Sequence, residues 1–144
     1  MQTISTTDLA HRLRPVIARL ARRMRQHAGG DLSPTQGAAL NTISCHGPLT
    51  PSELAMREQI QRPTATRVLA RLEEAGLIAR AADPADRRSS LVSTTPAGAE
   101  LLASVRDRKD AYLAQRLDRL SPEDLAALDR AAGILERVLE EGAE

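Results

Sequence analysis

Residues 51–98, PSELAMREQIQRPTATRVLARLEEAGLIARAADPADRRSSLVSTTPAG, decide the fold. They open with two short helical segments four residues apart, Pro51 to Glu58 and Pro63 to the stop at Gly76. Small Ala55 stands where two such helices would touch, Ile60 can plug the turn, and Ala65 and Val68 face inward, which meets the steric needs of a helix-turn-helix. Gln59 occupies the turn position where many such motifs have Gly, and it predicts a wider turn. Beyond Gly76, Leu77 to Arg80 and Leu91 to Thr95 are short β-compatible runs around the polar stretch Asp83 to Ser89, a β-hairpin pattern. Helix-turn-helix followed by hairpin is the winged helix-turn-helix order.

The surrounding segments are helical. Ser33-Pro34, Thr50-Pro51, Thr95-Pro96 and Ser121-Pro122 each place an N-cap hydroxyl before a proline at the first helical position. Gln36 and Glu53 can complete capping boxes at the first two. The first helix runs from about Asp8 to His27 with an apolar stripe of Leu9, Leu13, Val16, Ile17, Leu20 and Met24, and Gly29-Gly30 ends it. A second covers Pro34 to Cys45. A long helix from Thr95 carries Leu101, Leu102, Val105, Tyr112, Leu113 and Leu117, and the one from Ser121 carries Leu125, Leu128, Leu135, Val138 and Leu139. With 144 residues and Tyr112 as the only aromatic, the chain is one mainly α (α+β) domain. Its winged helix-turn-helix lobe spans about residues 32–98, and its dimerisation helices lie in about 1–30 and 99–144. These long amphipathic helices lack the bulk to fill a monomeric core, so a second copy is expected to cover them through Leu9, Leu13, Ile17, Leu117, Leu128, Leu135 and Val138.

Net charge is +1, but it is unevenly spread: +4 over residues 1–49, +1 over 50–95 and −4 over 96–144. Nineteen of the twenty basic residues are Arg, the side chain better suited to bidentate contacts with phosphate and guanine. On the second helix of the motif the buried stripe of Ala65, Val68, Leu69 and Leu72 leaves Thr64, Arg67 and Arg71 on the opposite face. That face suits a major groove, where Arg can donate two bonds to guanine O6 and N7. The plain alternative is a solvated face whose arginines pair with Glu74. At the hairpin tip Arg87 and Arg88 project toward a minor groove or the backbone, with Asp86 free to brace a guanidinium.

Leu54-Ala55, Thr66-Arg67, Leu72 through Gly76-Leu77-Ile78, and Asp86-Arg87-Arg88 followed at fixed distance by Val92, Thr95 and Gly98 form one pattern. Through these residues, and over almost its whole length, the chain resembles the MarR (multiple antibiotic resistance regulator) family. The resemblance implies an obligate homodimer on double-stranded DNA, a recognition helix in the major groove, Arg88 in the minor groove, and often a small-molecule effector. The DNA-binding set is then Arg62, Thr64, Thr66, Arg67, Arg71, Asp86, Arg87 and Arg88. The chain departs from the family pattern at Thr94, where an aliphatic residue is usual, and at Arg62-Pro63, where small polar residues are common.

Other readings are weaker. No Gly-rich phosphate loop or His-centred nucleophile arrangement is present, so neither catalysis nor a cofactor is expected. A winged helix used only for protein contacts is the second class, distinguished by DNA binding that would lack salt dependence. Cys45 beside His46 invites a metal or thiol-based redox role, but adjacent residues chelate poorly and a helix C-terminus disfavours a thiolate. A buried or half-buried thiol is expected instead. The six arginines of residues 12–25 could line a pocket for an anionic effector or make a second DNA contact, and are read as solvated. Without a membrane-length apolar run or a signal-peptide pattern, the expected location is the cytoplasm.

Overall fold

Hydroxyl caps set five of the six helix starts, at Ser5, Ser33, Thr50, Thr95 and Ser121, as local chemistry requires. In a computed structural model that describes residues 2–142, the order is α1 (Thr6–Ala28), α2 (Pro34–His46), α3 (Pro51–Glu58), α4 (Arg62–Glu74), β1 (Ile78–Ala82), β2 (Ser90–Thr94), α5 (Pro96–Leu117) and α6 (Pro122–Glu141). The capping box at Ser33 is complete, with Gln36 returning a bond to the cap backbone. At Thr50 only half of it forms: the hydroxyl accepts from the Glu53 N–H at 3.1 Å, and the Glu53 side chain stays exposed without closing the box. The first helix starts earlier than its apolar stripe suggests, because Ser5 caps it by accepting from the Asp8 N–H.

The core lies among α2, α3, α4 and the hairpin, where Leu40, Ile43, Leu49, Leu54, Leu69, Leu72 and Val92 are fully buried. Strands β1 and β2 pair antiparallel from Ile78 opposite Thr94 to Ala82 opposite Ser90. Leu49 adds a one-residue bridge to Val92, donating to its carbonyl at 3.1 Å and accepting from its N–H at 2.8 Å. This clasps the α2–α3 connection to the hairpin. A single apolar residue between two X-Pro pairs carries no strand periodicity, so the sequence does not announce it.

The turn between α3 and α4 is tight, contrary to the expectation raised by Gln59. That residue takes the left-handed conformation a Gly would take, at φ 54° and ψ 44°, and the Ile60 N–H reaches the Ala55 carbonyl at 3.0 Å. Burial of Leu54 and the α4 stripe fixes the helix positions, so the backbone between them accepts the strain. Gln59→Gly is expected to stabilise the fold by about 0.5–1 kcal/mol, the relieved strain less the extra chain entropy of Gly. Denaturant unfolding checks this, and a lower midpoint would show that the Gln59 side chain contributes more than its backbone loses.

The described chain clusters into two units, one ending at Lys109 and one starting at Asp110. In the first, α1 buries only Ala28 and leaves Leu9, Val16, Ile17 and Leu20 exposed, with Leu13 half-buried. In the second, α6 buries nothing, exposing Leu128, Leu135 and Val138, while Leu117 is half-buried and Arg116 stacks 3.6 Å over the Tyr112 ring.

Candidate nucleic-acid interface

Helix α4 is oriented by what it buries. Ala65, Val68, Leu69 and Leu72 are all inside, which turns Arg67 and Arg71, one turn apart, to solvent. Neither guanidinium pairs with a carboxylate among the described residues. The Glu74 pairing of a plain solvated face is not formed; instead Glu73 binds Arg80 of β1 at 3.0 Å, tying the end of α4 to the base of the hairpin. Thr64 is half-buried, and the exposed Thr66 donates its hydroxyl proton to the Arg62 carbonyl at 3.0 Å, leaving its oxygen able only to accept. Arg62 is exposed at the head of the helix, where Gln61 supplies no side-chain cap.

The hairpin tip is held by its own backbone and two aspartates. Asp83 accepts from the Ala85 N–H and Asp86 from the Arg88 N–H, both at 2.9 Å. The expectation that Asp86 braces a guanidinium is therefore corrected: its carboxylate closes a turn with the Arg88 backbone, because an amide two residues on is nearer than a flexible Arg head. Arg87 and Arg88 remain exposed. At the opposite end of the hairpin, the Thr95 hydroxyl donates to the Gly76 carbonyl at 2.7 Å and accepts from the Gly98 N–H at 3.2 Å. The neighbouring Thr94 hydroxyl is buried without a partner, where an aliphatic side chain would leave nothing unsatisfied.

Away from this surface, Cys45 is exposed, against the expected buried thiol. The buried side of α2 is set by Ala39, Leu40 and Ile43, and Cys45 lies two residues beyond it on the last turn. No group of His, Cys, Asp and Glu among the described residues is placed to hold a metal ion, and no helix is long and apolar enough to cross a membrane. Two of the arginines read as solvated, Arg22 and Arg25, lie on a cleft of about 760 Å³ together with Arg106 and Lys109 of α5. Its walls include Leu101 and Val105, and none of its lining residues is acidic. The sequence could not show this cleft, because its cations come from segments some eighty residues apart.

Comparisons with known proteins agree on one grouping. The family model described as MarR family matches residues 32–90. An HTH-type transcriptional regulator of Mycobacterium tuberculosis is 36% identical, the match covering 95% of this chain and 96% of that protein. The multiple antibiotic resistance protein MarR of Salmonella typhimurium is 35% identical over 69% of each chain. Among solved structures, a mutant MarR from Escherichia coli superposes with a TM-score of 0.76 at 26% identity, covering 96% of this chain and 99% of its own.

Proposed function

Because the chain belongs to the MarR family of DNA-binding transcription regulators, we propose that it is a repressor that binds a pseudo-palindromic operator as a homodimer. The observation that carries this reading is the outer face of α4, where Arg67 and Arg71 stand exposed one turn apart, opposite the buried stripe and with no carboxylate partner among the described residues. Two guanidiniums so placed can each donate in parallel to a guanine in the major groove. Arg62, Thr64 and Thr66 flank them as backbone and base-edge contacts. The wing presents Arg87 and Arg88 on a turn stiffened by Asp86, and Arg88 fits a minor groove.

Exposed Leu9 and Ile17 on α1 and Leu128, Leu135 and Val138 on α6, with half-buried Leu13 on α1 and Leu117 at the end of α5, support a second copy as their cover. In this reading residues 32–98 form the reading lobe, and 1–30 with 99–144 the dimerisation helices. A two-fold dimer then offers two recognition helices to half-sites about one helical turn apart. Repression is the simpler outcome, since occupying a promoter needs no polymerase contact. The cationic, apolar-walled cleft supports a small organic anion as effector.

Selection of bound sequences from random duplex DNA, followed by titration of the selected and a scrambled duplex, tests the reading. If about eight phosphates are neutralised, log K falls with log salt at a slope near −7. A slope near zero would mean a protein-contact module instead. Arg67→Ala or Arg71→Ala is expected to cost about 1–3 kcal/mol on the selected duplex and little on the scrambled one. Arg88→Ala should weaken both, with extra loss at A·T-rich flanks where the minor groove is narrow. Unchanged affinity for both duplexes with the fold intact would remove the wing from the interface. Repeating the titration with benzoate as a probe anion, in wild type and Arg25→Ala, tests the cleft; release of DNA from both alike would place the anion elsewhere.

A further inference from the structure

At the mouth of the turn between α3 and α4, one guanidinium N–H of Arg62 donates to the hydroxyl of Ser52, ten residues earlier. Both side chains are exposed, and no carboxylate among the described residues pairs with Arg62. Ser52 sits in the first turn of α3, where Pro51 has no N–H to offer and Thr50 already serves Glu53. The same Arg62 carbonyl receives the Thr66 hydroxyl proton, so Ser52, Arg62 and Thr66 form one connected chain across the starts of both helices.

An unrestrained Arg head at a helix start samples many rotamers, and fixing it on a ligand costs conformational entropy. Pro63 narrows the backbone at Arg62 but leaves its side chain free, and the α4 cap supplies no hydroxyl to catch it. Ser52 fills that role from the neighbouring helix. The contact therefore holds the Arg62 head in place with its remaining guanidinium N–H groups free to donate to a tetrahedral anion.

We infer that Ser52 is a positioning residue that holds Arg62 ready for one DNA backbone phosphate, so that the pair contributes to affinity and not to base choice. The inference rests on the proposed DNA interface at α4. A neutral Ser gives no charge of its own to the phosphate, so its effect must run largely through Arg62.

The experiment is a double-mutant cycle on duplex binding, with the selected and scrambled duplexes and with circular dichroism as the folding check. Arg62→Ala is expected to lower affinity about tenfold for both duplexes and to make the salt slope shallower by about 0.9, one phosphate's worth. Ser52→Ala should cost about threefold in the wild-type background and essentially nothing in the Arg62→Ala background, a non-additivity expected of residues in contact. Ser52→Thr, which keeps the hydroxyl, should restore binding. Equal losses from Ser52→Ala in both backgrounds, or no loss in either, would overturn the positioning role while leaving the DNA interface standing. A wild-type protein with no salt-dependent binding to either duplex would overturn the interface itself, and the role of Ser52 with it.

Discussion

Leu128→Glu combined with Val138→Glu is expected to leave a folded monomer that binds a two-half-site duplex about 10²–10⁴-fold more weakly, the avidity lost when two linked sites become one. The reason lies in α6. None of its residues is buried, and Leu125, Leu128, Ile134, Leu135, Val138 and Leu139 are all exposed, so much of its apolar stripe is left open to solvent. Burying such side chains against a second copy gives about 1.5–3 kcal/mol for each one fully covered, and a carboxylate forced into the same place must be desolvated or must push the copies apart. Both substitutions lie in the unit after Asp110, outside the core of the reading lobe, so far-UV circular dichroism should stay helical. Sedimentation distinguishes a 15.6 kDa species from one twice that mass. A doubly substituted protein that still sediments as a dimer, or binds with unchanged affinity, would remove α6 from the interface.

Gly98→Ala is expected to destabilise the fold by about 3 kcal/mol, because an added Cβ would lie 2.3 Å from the Leu77 carbonyl oxygen and 2.8 Å from the Thr94 methyl. The first of these is backbone and cannot swing aside. The start of α5 would have to lift off the hairpin base, breaking the Thr95 bonds to Gly76 and Gly98. A thermal midpoint about 10 °C lower is the expected reading. Thr94→Val serves as the opposite control at the same joint. It removes the buried hydroxyl that lacks a partner while keeping the side chain's shape, and should stabilise by about 1 kcal/mol. If Gly98→Ala unfolds at the wild-type temperature, the close approach of α5 to Leu77 is not a feature of the folded protein.

Much of this molecule is readable without coordinates because much of it is local. A hydroxyl followed by proline acts on backbone groups within one turn, so the starts of α2, α3, α5 and α6 follow from dipeptides. The face of α4 that carries Arg67 and Arg71 follows as well, since helical periodicity alone separates Ala65, Val68, Leu69 and Leu72 from the opposite side. The tertiary structure decided matters that depend on neighbours distant along the chain. It holds Gln59 in the left-handed region, because the burial of α3 and α4 fixes both ends of the turn. It bridged Leu49 to Val92, set Arg22 and Arg25 beside Arg106 and Lys109, and laid the Arg62 head on Ser52. Caps and periodicity act over a few residues, whereas these contacts exist only once the core has closed and brought separated segments within a few ångströms of each other.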